Sequence, residues 1–320
     1  SKSPLSDAFA HWGNLKIVIA ALVGATAGQA VVWYTGQFYA LFFLQQTLKI
    51  DAETANYLIA GALLIGTPFF VLFGVLSDRI GRKPVILVGC LLAAATYFPI
   101  FKALTKYGNP AIHRATEQNP VAVVAARGTC SFQFDPVGSA QFTSSCDIAK
   151  AILAKRSIPY KNLEAHPGAA ALIQIGQKNI QAFEGKILSK ADFKVQYAAL
   201  EKEVAALVTS AGYPAKANPN EINTLMVLLL LSLLVIYVTM VYGPIAAWLV
   251  ELFPTNIRYT SMSLPYHIGN GWFGGFLPAI SFALVAATGN LYYGLWYPIG
   301  IAVMTLIIGT FFLRETKDVD

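Results

Sequence analysis

Gly74-Val75-Leu76-Ser77-Asp78-Arg79-Ile80-Gly81-Arg82-Lys83-Pro84 sets one acid, three bases and two glycines between two long apolar runs. Gly81 permits a tight reversal, because glycine accepts backbone angles that other residues avoid. Pro84 suits the first turn of the helix that follows. Asp78 stands at the C-terminal end of its own helix, where the macrodipole disfavours negative charge. It therefore needs a base, or the N-terminus of another helix, as a partner. Glu251-Leu252-Phe253-Pro254-Thr255-Asn256-Ile257-Arg258 poses the same problem, with an acid closing an apolar run and a base seven residues on. Two acids and several arginines at one end of a helix bundle suggest an ion-pair network that can be made and broken. The plainer alternative is basic anchoring at a membrane surface, with the acids solvated.

Six apolar runs surround these turns, at residues 16–46, 55–77, 84–104, 223–250, 259–286 and 291–313. A helix that crosses the hydrocarbon core needs about 20 mostly apolar residues. Each run is expected to be helical, since backbone facing lipid must satisfy its own hydrogen bonds. Of the 320 residues, 56% are hydrophobic and 12% charged, whereas soluble domains carry about 25% charged residues. A single core stops growing at about 250–300 residues, so a bilayer is the natural solvent. The net charge of +6 is not a nucleic-acid footprint, because the basic residues lie at the ends of apolar runs and in residues 105–222 rather than in one stripe. The first run begins near Leu15 and is too long for the h-region of a signal peptide. The chain opens as if cut from a longer one.

The reading divides the chain into helices one to three (residues 1–104), an inserted soluble domain (105–222) and helices four to six with a tail (223–320). The insertion holds more than half of the 23 Lys and Arg residues. Ser189-Lys190-Ala191-Asp192 looks like a capping box that opens a helix running to Gly212. A second helix is expected from near Ser144 to near Arg156, and short strands around 121–126 and 171–176. Basic residues in short segments fix orientation. Lys2, Lys16, Arg79, Arg82, Lys83, Arg258, Arg314 and Lys317 fall on one side, and Lys49 on the other. Both ends are thus expected in the cytoplasm of a bacterial inner membrane, with the insertion outside, periplasmic or extracellular. In an oxidising compartment Cys130 and Cys146 can keep a disulfide; a metal pair is the rival, with no His or further Cys close by in sequence. Cys90 reads as a small apolar residue within helix three.

The turn from Gly74 to Pro84 resembles the signature of the major facilitator superfamily, with glycine, acid, base, Gly-Arg and a further base at matching spacing. Glu251, Pro254 and Arg258 resemble the matching signature two helices later. The stretches Trp33 to Tyr39 and Glu251 to Pro278 look more narrowly like the C-terminal half of metabolite:proton symporters, carriers of dicarboxylates, citrate, shikimate and proline or betaine. The resemblance covers all six helices. It implies an all-α membrane protein, half of a twelve-helix fold, built as two inverted three-helix repeats with a soluble α or α+β insertion. It also implies a missing N-terminal six-helix half as partner. The charged turns (Gly74, Asp78, Arg79, Gly81, Arg82, Lys83, Glu251 and Arg258) would then form a gate.

Gly269-Asn270-Gly271-Trp272-Phe273-Gly274 also fits the dinucleotide fingerprint, but a lone match inside an apolar span with no strand before it is weak. Gly271 and Gly275, like Gly24 and Gly28, read better as small-xxx-small helix contacts. Run five, with Pro265, Pro278 and its glycines, is expected to be interrupted, and interrupted helices in transporters mark binding sites. Gln29, Trp33 and Gln37 on helix one, with Tyr266, His267 and Asn270 on helix five, are the candidate cavity residues. Polar side chains at this depth face a cavity or bond between helices. His267 is a candidate proton carrier, since His titrates near neutral pH, or a structural polar residue. No Asp or Glu lies in the middle of any run, so a proton-binding group must be His267 or come from elsewhere. No cofactor, metal or enzyme chemistry is expected. The expected function is secondary active transport, proton-coupled symport of a small polar metabolite such as an organic acid or compatible solute by alternating access. The alternative is a membrane anchor that displays the inserted domain for binding or sensing.

Overall fold

In the computed structural model, residues 3–134 and 141–318 are described; Lys2 lies outside them. The membrane part is six helical spans: Trp12–Thr47, Ala52–Ile80, Arg82–Gly108, Thr224–Leu252, Arg258–Thr288 and Tyr293–Phe312. Span one is the longest at 36 residues, about 54 Å at 1.5 Å per residue, so it projects well beyond the hydrocarbon. A short helix, Pro4–Phe9, precedes it. Asp51 caps span two, accepting from the Thr54 N–H at 2.8 Å. Gly81 closes span two at φ 114° and turns the chain into span three.

Span four packs on spans two and three, span one packs on spans five and six, and span three meets span six. Exchanging one with four, two with five and three with six maps this pattern onto itself. That is the contact symmetry of two three-helix repeats. The small residues of span one serve the close approach to span six. A Cβ on Gly309 would lie 2.5 Å from the Gly24 carbonyl oxygen, and one on Gly28 would lie 2.6 Å from Thr305. The Thr305 hydroxyl donates to the Val23 carbonyl at 2.7 Å across the same contact. Gly271 does not play this part, since it faces open space, and Gly275 meets only its own helix. Gly269 against Thr26 and Gly274 against Tyr34 make the close contacts between spans five and one.

Span five is interrupted as expected: its α-helices Arg258–Ile268 and Leu277–Thr288 are separated by irregular winding and a turn at residues 275–276. It widens into a π-helical segment at Gly269–Gly274. Span one carries three such segments, Leu22–Thr26, Thr35–Tyr39 and Phe43–Thr47, which no Gly-Pro cluster announces. π-turns inside α-helices are rare and concentrate at functional sites.

Between spans three and four the chain builds an α+β unit. Its helices are α1 (Pro110–Gln118), α2 (Ser145–Lys155) and α3 (Lys190–Ser210); its strands are β1 (Val121–Ala126), β2 (Lys161–Ala165), β3 (Leu172–Ile175) and β4 (Lys178–Gln181). The strand order is β2-β1-β3-β4, with β2 parallel to β1 and the other pairs antiparallel. A parallel pair needs a crossover, and α2 supplies it. Ser144 caps α2 and Ser189 caps α3, each hydroxyl accepting an N–H three residues on, at 3.1 Å. Cys130 and Cys146 are bonded, fastening the loop after β1 to the first turn of α2. Cys90 is buried in span three as a free thiol. The unit has its own apolar core, centred on Ile148, Ile152, Ile173 and Val204.

The α+β unit is fastened to the ends of spans one and five. Lys150 Nζ donates to the Ala287 carbonyl at 3.0 Å and Asn162 Nδ2 to that of Thr288 at 3.0 Å. The Tyr160 hydroxyl bonds the Ala286 carbonyl, and its N–H the Gly289 carbonyl at 3.0 Å. These acceptors are the carbonyls that a helix end leaves without partners. At span one, Ser157 Oγ donates to the Gln46 carbonyl at 2.7 Å, and Lys49 Nζ to that of Pro214 at 3.1 Å. Burial, with the Arg156 charge adding to it, pushes the Lys49 ammonium down to about 8. An unfolded lysine titrates at about 10.4, so between those values the unfolded chain binds more protons and stability rises with pH. The apparent Tm of the purified chain should climb from pH 8 to pH 10, and Lys49→Met should flatten that climb. An equal climb in Lys49→Met would contradict the assignment.

Candidate functional site

The charged turns meet at the end of the bundle opposite the α+β unit, and Arg82 is their centre. Gly81 reverses the chain, so Arg82 folds back on the last turn of span two. Its Nη1 pairs with Asp78 and donates to Ser77 Oγ at 3.1 Å; its Nη2 reaches Glu251 Oε1 at 3.3 Å. Arg82 and Glu251 side chains are 12% and 18% exposed, whereas Asp78 is 63% exposed. The Arg82–Glu251 contact is therefore the shielded one, and the Asp78 contact is largely solvated. Ser77 in turn donates to the Gly74 carbonyl at 2.7 Å.

The tail after span six completes the cluster. The Glu315 carboxylate accepts the N–H groups of Arg82 and Lys83, each at 2.9 Å. These open span three and lack partners within the helix. Burial would raise the Glu315 carboxyl, but the backbone N–H groups of Arg82, Thr316, Lys317 and Lys83 outweigh it and hold it below its ordinary value. Thr316 Oγ1 donates to Glu251 Oε2 at 2.6 Å. Lys83 Nζ donates to the carbonyls of Thr310 and Leu313, each at 2.7 Å, at the end of span six, where a cation suits the helix dipole. Arg79 enters through its carbonyl, which accepts from Lys317 at 3.2 Å.

Two parts of the sequence expectation change. Arg258 is not in this cluster: its Nε donates to the Phe253 carbonyl at 3.2 Å, closing its own turn. That bond turns its guanidinium back on the end of span four, and among the described residues it makes no ion pair. Glu315 and Thr316 were not expected at all. No distinct sequence signal marked them, since the tail Arg314-Glu315-Thr316-Lys317-Asp318-Val319-Asp320 mixes two bases with three acids.

A second polar cluster lies deep in the spans. Gln29 is fully buried, and its Nε2 donates to Asn270 Oδ1 at 3.3 Å, bridging spans one and five. Asn270 Nδ2 donates to the Tyr266 carbonyl at 2.9 Å, and the hydroxyls of Tyr266 and Tyr242 lie 3.3 Å apart, which brings in span four. Trp33 packs on Tyr242 with ring centroids 5.5 Å apart. Gln29 Oε1 is buried with no partner among the described residues. The cluster thus joins Gln29, Trp33, Tyr266 and Asn270 and adds Tyr242. Gln37 is half-buried and makes no side-chain hydrogen bond among the described residues. His267 points away: it is exposed and touches only the Tyr266 ring, at 5.6 Å between centroids. Both clusters adjoin π-segments or turns rather than straight helix, so a small change in helix winding reaches them.

The profile of the Major Facilitator Superfamily matches residues 4–132, and that of the Sugar (and other) transporter family matches residues 203–320. The membrane part on both sides of the α+β unit is thus similar to the major facilitator superfamily. This is a family of transporters, not of enzymes. A Haemophilus influenzae protein named for metabolite transport is 45% identical over 82 residues, which are 24% of this chain and 17% of that protein. The alpha-ketoglutarate permease of Escherichia coli is 33% identical over 99 residues, 31% of this chain and 23% of the permease. A Staphylococcus aureus protein named for proline/betaine transport is 43% identical over 47 residues, 15% of this chain and 10% of that protein. The chain therefore matches less than a quarter of the length of each of these relatives. No solved structure gives a significant match.

Removing one partner of a shielded ion pair costs about 3–5 kcal/mol, whereas an exposed pair is worth about 0–1 kcal/mol. Arg82→Met should therefore open this end of the bundle far more than Asp78→Asn does. Thiol labelling of a cysteine placed at Leu252, which is 3% exposed, reads the opening. Rapid labelling is expected with Arg82→Met and near-native protection with Asp78→Asn; the reverse order would show that Asp78 carries the cluster.

Proposed function

We propose that this chain is one half of a secondary active transporter that carries a small polar metabolite together with a proton by alternating access. The observation that carries the reading is the pairing of two features: a polar and aromatic cluster at the crossing of spans one, four and five, and a closable charged cluster at one end of those spans. The Gln29 oxygen adds weight. A buried acceptor without a partner costs about 1–3 kcal/mol, and a bound hydroxyl, ammonium or carboxyl group offsets that cost. Substrate and protons would bind between this half and a second six-helix half. The exposed His267 supports that pairing, because an ionisable group within a span belongs against protein or a water-filled cavity rather than lipid. His267 is then the candidate proton carrier at the join of the halves. The names of the relatives, an alpha-ketoglutarate permease and a proline/betaine transporter, support a substrate among small organic acids and zwitterionic solutes.

The charge asymmetry of the short segments supports a cytoplasmic position for the Arg82 cluster and for both ends of the chain in a bacterial inner membrane, with the α+β unit outside. The Gly74–Lys83 turn, with Glu251 and Glu315, would then lock the inner side while the outer side is open. Rocking of one half against the other would break that lock and expose the Gln29–Asn270 cluster inward.

Uptake into proteoliposomes, with this chain joined to its six-helix partner, tests the reading. Labelled α-ketoglutarate, proline and betaine are offered with and without an inward proton gradient. Gradient-stimulated uptake of at least one is expected, with Asn270→Ala raising its KM about tenfold, the loss of one hydrogen bond to a charged group. Folded protein with no gradient-dependent uptake of any of the three would contradict it.

A further inference from the structure

A cleft of about 960 Å³ opens where the end of span three meets the α+β unit and the turn between spans five and six. Lys102 and Lys106, one helical turn apart on span three, line it together with Lys161 from β2. Residues four apart share a helix face, so the two span lysines present their charges to one side. Lys102 lies six residues inside the end of span three at Gly108, about 9 Å along the axis at 1.5 Å per residue. Span three is 27 residues, about 40 Å long, so when it is centred on a hydrocarbon core of about 30 Å Lys102 lies a few ångström inside the core boundary, within reach of the headgroups for a snorkelling lysine. The acid in the lining is Glu117, which lies 3.4 Å from His113 Nδ1, one turn away on the same helix. Among the described residues the three lysines have no carboxylate partner. Lys106 instead sits 5.6 Å over the Tyr107 ring. Three like charges around one void repel one another unless an anion enters.

We propose that this cleft binds an anionic phospholipid of the leaflet at that end, its phosphate among Lys102, Lys106 and Lys161. Size and lining favour a lipid over a free ion. A water molecule takes about 30 Å³ of liquid, so the space far exceeds what one small anion fills. Ala103, Tyr107 and Leu291 give the wall an apolar side, which suits the glycerol and upper acyl chain of a lipid and offers nothing to inorganic phosphate. The bound lipid would sit against Gly289–Tyr292 and Tyr160, the segment that fastens the α+β unit to span five, and so would reinforce that junction.

Native mass spectrometry of the purified full chain, titrated with phosphatidylglycerol, phosphatidylcholine or inorganic phosphate, tests this. Phosphatidylglycerol should bind at least tenfold more tightly than phosphatidylcholine, and millimolar phosphate should not displace it. Each lysine near a headgroup contributes about fivefold in affinity, so Lys102→Ala/Lys106→Ala/Lys161→Ala should bind about a hundredfold more weakly. The matching triple arginine variant should bind as the parent does, which separates lost charge from lost folding. Lys161→Glu alone, on an exposed strand, should weaken binding by at least tenfold. Equal binding of the two lipids, undiminished binding by the alanine variant, or displacement by phosphate would each overturn the proposal.

Discussion

At the end of a bundle that leaves the bilayer, carboxylates, cations and the unpaired ends of helices crowd into one layer, and each must find a partner there. In this chain the Arg82 guanidinium answers most of that demand. It holds Asp78 and Ser77 at the end of span two and Glu251 at the end of span four. Glu251 passes the connection to Thr316, and Glu315 returns it to the first N–H groups of span three. The closed circuit therefore joins spans two, three, four and six. It is expected to open where a shielded charge, Arg82 or Glu251, is lost, because an ion left behind in a shielded place is costly, whereas the solvated Asp78 contributes little.

The membrane part repeats a single design twice, and the two copies differ in helix winding. Spans one and four are related by the exchange of repeats, yet span one carries three π-segments and, among the described residues, span four carries none. Span five has one, beside Asn270. A π-turn leaves the regular i→i−4 ladder and can move along a helix at low cost. The Gln29–Asn270 bond thus links the two most irregular spans. The α+β unit is fastened to the far ends of those same two spans, at Gln46 and Lys49 on one and Ala286–Gly289 on the other. Movement of either span at one end is thereby tied to the position of the unit at the other.

The sequence made the spans legible because twenty apolar residues in a row have few other uses, and the ends of the six runs fall within a few residues of the helices found. The cap at Ser189 was equally plain, and the helix expected from near Ser144 begins at Ser145. Strand β1 was readable as an apolar run, Val121–Ala126, but β2, Lys161–Ala165, was not, because its side chains are exposed and its pattern is polar. Helix α1 was hidden by its length of nine residues, though Pro110 stands at its first position. In the candidate site, local geometry was the part that could be read. Asp78 and Arg82 are four apart across a glycine turn, and Gln29 and Trp33 share a helix face. Partners brought from a distance, such as Glu315 on Arg82 or Tyr242 on Tyr266, carry no local signature. Arg258 was misplaced for the same reason: its charge suited the cluster, but its guanidinium bonds back on the end of span four.

The central claim is that Arg82 and Glu251 act as one unit, and a double-mutant cycle tests it most directly. Arg82→Met, Glu251→Met and the double variant would be compared with the parent by unfolding free energy in one detergent. Coupled residues in contact show interaction energies of about 0.5–3 kcal/mol. The account predicts a value near the top of that range, with the double variant closer to the parent than either single one, since the apolar pair leaves no charge stranded. Losses that simply add, with the double variant the least stable of the three, would show that the two residues serve separate purposes and that the lock described here does not exist.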